Sequence, residues 1–203
     1  MAVIDSVCVY CGSSPGADPV HAEAARILGR AMAEAGVRLV YGGGSVGLMG
    51  TVARAVLDAG GNVTGIIPQF LQGRERPFDD LSELIVTDDM HARKWLMFER
   101  ADAFVALAGG IGTLEELVEQ LTWSQLGRHR KPVLLANIAG FWDPLIRLLE
   151  EMRREKFIRS DLEVSMLVAK RAEDILPMLN RAVAGRDQAE LEERAAAESL
   201  SRM

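Results

Sequence analysis

The stretch AFVALAGGIGTLEE, residues 103–116, joins an apolar strand pattern to a glycine-rich turn and to the start of a helix. The apolar run Ala103–Ala108 predicts a buried strand, and the helix is predicted to begin at Thr113. N–H groups at a helix start lack partners within the helix and lie at the positive end of its dipole, so they favour a phosphate. Glycines let the backbone approach such a ligand closely. A purely structural turn is the alternative.

Short apolar, β-branched runs alternate with longer stretches of helical period along the rest of the chain. This pattern predicts an α/β fold with a mostly parallel twisted sheet and helices on both faces. The predicted strands are Ser6–Gly12, Arg38–Tyr41, Asn62–Ile67, Glu83–Val86, Ala103–Ala108, Pro132–Asn137 and Val164–Ala169. The predicted helices are Pro19–Ala35, Leu48–Ala59, Met90–Arg100, Thr113–Leu126, Phe141–Glu155 and Ala172–Ala184. We expect one domain over residues 1–184 and a charged, helical or frayed tail over residues 185–203.

Two further turns follow predicted strands, and the carboxyl edge of an open parallel sheet is where ligands bind. Gly12 and Ser13 form a small polar turn after the first strand, for which a plain turn is the simpler interpretation. YGGGSVGLMG, residues 41–50, formally matches the G-x-G-x-x-G dinucleotide fingerprint. However, it follows the second strand, and no acidic residue lies about twenty positions further on to hold a ribose. Close backbone approach to another ligand or to a neighbouring segment is therefore favoured, with Gly43 and Gly44 as candidates.

Charged side chains near these turns are the candidate chemical groups. Arg93 and Lys94 lie in the first turn of a predicted helix, where a basic pair opposes the dipole and so suggests an anion contact or ion pair. Glu115 and Glu116 point about 100° apart on their helix, so one can enter the cleft while the other faces elsewhere. A carboxylate there can assist attack of water at a sugar carbon and stabilise an oxocarbenium-like state. Glu75, flanked by arginines, is the other candidate acid.

The composition argues against several classes of function. A formal net charge of −6 argues against a nucleic-acid binder, because such proteins usually carry a basic face. Cys8 and Cys11 are spaced C-x-x-C within a strand pattern, where residues three apart face opposite sides of the sheet. We therefore expect buried thiols rather than redox or zinc ligands. No apolar run reaches the roughly 18 residues of a membrane span. We expect a cytoplasmic protein without membrane contact, metal or cofactor.

Taken together, these stretches resemble the LOG (Lonely Guy) family, cytokinin-activating phosphoribohydrolases that are often mislabelled lysine decarboxylases. The family motif PGGxGTxxE reads AGGIGTLEE in residues 108–116. The resemblance also covers VCVYCGSS (7–14), YGGGSVGLMG (41–50), GIIP (65–68) and MHARK (90–94), and it extends to about Ala169. Several motifs in the family's order and spacing make the resemblance specific.

The resemblance implies a Rossmann-like fold, usually in a homodimer, and hydrolysis of the N-glycosidic bond of an N6-modified adenosine 5′-monophosphate. The products would be the free base, a cytokinin or adenine, and ribose 5-phosphate. Arg93 and Glu116 would be the catalytic pair by matched position. The residues that would hold or complete the nucleotide site are Glu75, Lys94, Gly109, Gly110, Ile111, Gly112, Thr113, Leu114, Glu115 and Thr122. Gly12, Ser13, Gly43 and Gly44 would join them from the other two turns.

One position departs from the family motif, because Ala108 stands where the motif has proline. Proline fixes φ, so we expect a looser turn and a tuned rather than abolished activity. A pyridoxal-dependent decarboxylase is not favoured, since Lys94 is the only lysine near the predicted site and its neighbours suit a phosphate better. The open alternative is a nucleotide-binding carrier or sensor without turnover, which would not require the pair Arg93 and Glu116.

Overall fold

The computed structural model describes residues 4–158 and 166–185, which form a seven-stranded parallel sheet between two layers of helices. The strands are β1 (Ser6–Tyr10), β2 (Arg38–Tyr41), β3 (Val63–Pro68), β4 (Glu83–Thr87), β5 (Ala103–Ala106), β6 (Val133–Ala136) and β7 (Met166–Ala169). The helices are α1 (Pro19–Glu34), α2 (Gly47–Asp58), α3 (Gln72–Glu75), α4 (Met90–Glu99), α5 (Ile111–Gln125), α6 (Asp143–Arg154) and α7 (residues 175–185).

The strand order places one topological switch point in the middle of the sheet. The order is β4-β3-β2-β1-β5-β6-β7, so the chain leaves β1 towards one edge and returns beside it with β5. Val7 pairs with Leu39 on one side and with Ala103 on the other. Loops that leave such neighbouring strands in opposite directions open a crevice at the carboxyl edge. The turns after β1 and β5 flank that crevice.

Side chains of each strand alternate between two cores, because successive residues point to opposite faces. In β1, Val7 and Val9 pack against the α1, α2 and α7 layer, whereas Cys8 and Tyr10 pack against the α4, α5 and α6 layer. Cys11, just beyond the strand, lies in the first of these cores. Both thiols are buried and free. The prediction of two buried thiols that face opposite sides of the sheet is confirmed.

The predicted α/β fold with a parallel sheet is confirmed, and the element bounds differ by a few residues. Helix α5 begins at Ile111 rather than Thr113, because the extended backbone of Gly110 acts as its N-cap. Strand β5 ends at Ala106, two residues before the predicted end. Residues 164–165 of the predicted last strand and 186–203 of the predicted tail lie outside the described residues. Within 4–158 and 166–185, no helix combines the length and hydropathy that a membrane crossing needs.

Candidate active site

The three predicted turns meet at the carboxyl edge of β1, β2 and β5. The N–H of Gly12 donates to the carbonyl oxygen of Ala108 at 3.0 Å. The carbonyl oxygen of Gly12 accepts from the N–H groups of Leu48 at 3.0 Å and Met49 at 3.3 Å. The first turn is thus hydrogen-bonded to the other two, and the glycine-rich segments form one continuous backbone surface.

Two of the glycines are required by how closely these turns approach their neighbours. A Cβ at Gly109 would lie 2.1 Å from Oγ1 of Thr113, whose side chain is buried. Gly47 has a φ of +60°, and a Cβ there would lie 2.3 Å from the carbonyl carbon of Ser13. A side chain at either position would push the turns apart. The glycine pattern therefore reflects packing between the turns as well as access for a ligand.

The start of α5 presents backbone donors at the mouth of the crevice. Its first intrahelical bond runs from the N–H of Leu114 to the carbonyl of Gly110 at 3.0 Å. The N–H groups of Ile111, Gly112 and Thr113 have no hydrogen-bond partner in the described part of the chain, and no side chain caps the helix. The side chain of Ile111 is 82% exposed. Unpaired donors at the positive end of a 15-residue helix are suited to a phosphate.

Arg93 of α4 points into the crevice although it is 5% exposed. Its Nη2 donates to the carbonyl oxygen of Gly42 at 3.0 Å, and its Nη1 lies 3.7 Å from the sulfur of Met90. Its Nε is buried and has no partner among the described residues. The guanidinium is therefore held by one wall of the site and retains a donor. The sequence did not predict that the carbonyl of Gly42 would hold Arg93. The one available signal was that Gly42 is the first glycine of the G-x-G-x-x-G match.

Glu75 reaches the same crevice from the end of α3. Its carbonyl oxygen accepts from the N–H of Ser45 at 3.0 Å and from the Ser45 hydroxyl at 3.3 Å. Its Oε2 is buried without a hydrogen-bond partner in the described chain, and a Cβ at Gly44 would lie 3.4 Å from that oxygen. The second glycine turn thus positions Glu75. Gly43 is itself buried against Ile67 of β3.

The adjacent acids of α5 have different environments, as the helical geometry suggested. Glu115 is exposed and forms an ion pair with Lys94 at 2.6 Å. Glu116 is half-buried and makes no hydrogen bond or ion pair to any described residue. Burial raises the pKa of the Glu116 carboxyl from 4.5 to about 7, although the positive charge of Arg93 acts in the opposite direction. Such a carboxyl changes protonation state near neutral pH.

Lys94 is held between two carboxylates of α5. Its Nζ donates to Glu115 at 2.6 Å and to Glu119 at 3.0 Å. Partial burial lowers the pKa of Lys94, but the two carboxylates outweigh this and raise it above the ordinary value. The lysine is therefore fixed in its charged form, where it links α4 to α5 beside the crevice.

Thr122 lies apart from this cluster, whereas Ser13 lies in the first turn with its backbone against Gly47. Thr122 is exposed, nine residues after Thr113 and thus about 13 Å further along α5. Its hydroxyl donates to the carbonyl of Val118 at 2.7 Å. The side chain of Ser13 is exposed. Their assignments as nucleotide ligands stay predictions.

An apolar groove of about 460 Å³ adjoins the start of α5 on the side away from Arg93. Leu114 lines it together with side chains from the start of α6. The lining residues are Gly109, Gly110, Ile111, Leu114, Phe141, Trp142, Pro144, Leu145 and Leu148. A ligand bound at the glycine turn would therefore meet polar groups on one side and apolar ones on the other.

Comparison with known proteins places this arrangement in a family. Residues 49–179 match the protein family described as "possible lysine decarboxylase". A cytokinin riboside 5′-monophosphate phosphoribohydrolase of Arabidopsis thaliana is 45% identical over 181 residues, which cover 89% of this chain and 85% of the relative. A cytokinin riboside 5′-monophosphate phosphoribohydrolase of Rhodococcoides fascians is 48% identical over 166 residues, which cover 81% of this chain and 84% of the relative.

Solved structures with the same fold are more distant in sequence. A molybdenum cofactor binding protein from Rippkaea orientalis superposes with a TM-score of 0.67 at 23% identity, covering 90% of this chain and 99% of that one. A molybdenum cofactor carrier protein from Chlamydomonas reinhardtii superposes with a TM-score of 0.64 at 22% identity, covering 88% of this chain and 98% of that one. At this level of identity the likeness establishes the fold alone.

Proposed function

This chain belongs to the LOG family of phosphoribohydrolases, and we propose that it hydrolyses N6-modified adenosine 5′-monophosphates to the free base and ribose 5-phosphate. The observation that carries the proposal is the Glu116 carboxyl. It has no hydrogen bond to the described chain, it lies in the field of the buried Arg93 guanidinium, and its pKa is raised to about 7. It also lies one helical turn from the unpaired N–H groups of α5.

The 5′-phosphate binds at the start of α5, where the N–H groups from Ile111 to Thr113 point out of the helix. Gly109 and Gly110 keep this surface free of side chains. Glu75 faces the crevice from the opposite wall with an unpaired buried oxygen, which suits a ribose hydroxyl donor. The phosphate thereby fixes the sugar next to Glu116, which lowers the entropic barrier of the reaction.

Bond cleavage places positive charge on the anomeric carbon of the ribose. Ionised Glu116 stabilises this oxocarbenium-like state and orients the attacking water, which supplies the new C1′–O bond and loses a proton. The electron pair of the broken C1′–N9 bond leaves with the base, which is protonated to its neutral form. The free Nε of Arg93 donates to the nucleotide, and the charge of the guanidinium keeps a fraction of Glu116 ionised at neutral pH.

The site does not suit the decarboxylase chemistry in the family description. A lysine that forms a Schiff base must be neutral when it attacks. Lys94 is instead held charged by Glu115 and Glu119, and its pKa is raised. The site therefore fits a nucleotide better than pyridoxal phosphate.

Incubation with AMP and with isopentenyladenosine monophosphate, followed by chromatography of the free bases, tests the proposal. We expect base release from both wild-type reactions. Glu116→Gln should lower kcat by about 10²–10⁴-fold and change nucleotide affinity by less than about threefold, because its role lies in the transition state. Glu99→Gln, which changes an exposed carboxyl at the end of α4 to which no role in the site is assigned, is the control and should retain kcat. Nucleotide binding without base release in the wild type would instead assign a carrier or sensor.

The functional unit that we propose is a homodimer. Large apolar side chains are exposed along α5 and α6, among them Val118 at 42% and Leu148 at 51%. These side chains would be covered by a second copy. Light scattering coupled to gel filtration should give twice the 22.1 kDa mass of the chain, and a concentration-independent monomer would refute this assembly.

A further inference from the structure

Residues 128–131, the connector between α5 and β6, also hold α4 against α5. Nζ of Lys131 donates to the carbonyl oxygen of Phe98, near the end of α4, at 2.7 Å. Nε2 of His129 lies 3.2 Å from the carbonyl oxygen of Gln120, a fully buried residue of α5. One short segment therefore forms hydrogen bonds to the backbone of both helices.

His129 joins these two contacts, and it does so as a neutral ring. Its Nδ1 accepts from the backbone N–H of Lys131 at 3.1 Å. Because a backbone N–H only donates, Nδ1 carries no proton, and the proton of the neutral imidazole is on Nε2, which donates to Gln120. A continuous chain of hydrogen bonds thus runs from α4 through Lys131 and His129 to α5.

The surroundings of His129 favour this neutral form. Its side chain is 8% exposed, and α4 and β5 face it with the uncharged rings of Phe98 and Phe104, at centroid distances of 5.3 and 5.7 Å. The charged groups that act on it, Lys131 and Arg128, are both positive. Burial, together with these charges, lowers the pKa of His129 below its ordinary value of 6.5, although its two hydrogen bonds act in the opposite direction.

The two helices that this chain of hydrogen bonds joins carry the proposed catalytic pair. Arg93 precedes Phe98 on α4 by less than two helical turns, and Glu116 precedes Gln120 on α5 by about one turn. A helix carries its side chains with it when it shifts, so the separation of α4 and α5 sets the position of the guanidinium relative to the carboxyl.

We infer that His129 is a positioning residue whose neutral ring fixes α4 against α5, and with them Arg93 against Glu116; the catalytic part of this inference rests on the proposed hydrolase function. A proton added to Nδ1 would set two donors face to face. The backbone of Lys131, which anchors α4, must then move away from the ring. On acidification Glu116, with a pKa of about 7, is protonated before His129, whose pKa lies below 6.5.

The test compares two replacements of the imidazole. His129→Gln supplies an acceptor and a donor on one carbon but does not titrate, and it should keep kcat for AMP at pH 8 within about threefold. His129→Phe keeps an aromatic ring but neither hydrogen bond. It should lower kcat about tenfold or more and leave the nucleotide Kd within about threefold, because the donors at the start of α5 are unchanged. His21→Gln, on α1 in the other helix layer, is the control and should behave as the wild type.

Tryptophan fluorescence reports the connector whether or not base is released. The guanidinium of Arg128 lies over the rings of Trp95 of α4 and Trp123 of α5, at 4.7 and 4.3 Å. We expect a reversible change of emission in the wild type as the pH falls, with a midpoint below 6.5 and with unchanged far-ultraviolet circular dichroism. The change should persist in His21→Gln and be absent in His129→Gln.

Each part of the inference has an outcome that overturns it. A constant emission in the wild type until the protein unfolds, or the same transition in His129→Gln, would overturn the proton-sensitive contact. A proton found on Nδ1 at pH 8 by nitrogen NMR of the unaltered protein would do the same, independently of any variant. Wild-type kcat in folded His129→Phe would overturn the positioning role. Absence of base release in the wild type would overturn the hydrolase alone, because the fluorescence and NMR results do not depend on it.

Discussion

Arg93 lies directly over the backbone of Gly42, 51 residues earlier in the chain, with a 3.0 Å hydrogen bond from Nη2 to the carbonyl oxygen. A Cβ at position 42 would lie 1.8 Å from the same nitrogen. The guanidinium of Arg93 can therefore occupy this position only because residue 42 has no side chain. Helix α4 supplies the charge, and the turn after β2 supplies the space for it.

Gly42→Ala should displace Arg93 without unfolding the protein. The atom that must move is the end of a flexible side chain, so we expect a loss of less than about 2 kcal/mol in the free energy of unfolding. A displacement of about 1 Å in the site should lower kcat roughly 10²-fold. Gly73→Ala, where a Cβ meets nothing within 4 Å, is the control. Equal kcat values for the two variants would show that Arg93 needs no fixed position.

The pH dependence of turnover should follow the ionisation of Glu116. Because burial raises the pKa of this carboxyl to about 7, and because the ionised form stabilises the cationic transition state, kcat should increase with pH and level off above about pH 8. Steady-state assays between pH 5.5 and 9 measure this. Glu116→Gln should abolish the dependence in the residual activity. A midpoint near 4.5 in the wild type would contradict the proposed environment.

Glu116 should also make the folded state less stable as the pH rises. The folded pKa of about 7 lies above the ordinary value of 4.5, so between these values the folded state binds more protons than the unfolded one. The free energy of unfolding therefore falls across this window. Relative to the wild type, Glu116→Gln should gain up to about 2–3 kcal/mol between pH 4.5 and 8. Urea unfolding of both proteins at pH 4.5 and at pH 8 measures the gain. The same difference in the free energy of unfolding at the two pH values would contradict the prediction.

The sequence predicted the sheet and the three turns because both depend on local pattern. The strand period of β1 predicted the separate cores of Cys8 and Cys11, and the glycines after β5 predicted an uncapped helix start. Contacts between distant segments could not be predicted this way. The position of Arg93 over Gly42 depends on how α4 crosses the sheet. The burial of Gln120 contradicts its polarity, so the sequence offered no signal for it.

Lys94 should stabilise the contact between α4 and α5 through Glu119 rather than Glu115. The side chain of Glu119 is 20% exposed and that of Glu115 is 53% exposed, so solvent screens the second pair more strongly. Lys94→Met should cost about 1–2 kcal/mol by leaving Glu119 unpaired. Adding Glu119→Gln should recover about half of this loss, whereas adding Glu115→Gln should recover little. Urea unfolding of the wild type, of Lys94→Met, of the two glutamate variants alone and of the two double variants measures both couplings, and equal recovery would contradict the difference.

Ala108→Pro should stabilise the turn that precedes the phosphate site. The carbonyl of Ala108 accepts from the N–H of Gly12, and its own N–H donates no backbone hydrogen bond within the described residues. Proline therefore removes no hydrogen bond and restricts the unfolded chain, so the free energy of unfolding should rise by about 0.4–1 kcal/mol. KM for AMP should fall because the turn is held closer to its bound form.

Ala35→Pro is the control with the opposite expected result. The N–H of Ala35 donates to the carbonyl of Ala31 at 3.0 Å, so the loss of this hydrogen bond should destabilise the protein. A lower melting temperature in Ala108→Pro would show that the turn in this chain has a backbone conformation that proline cannot adopt.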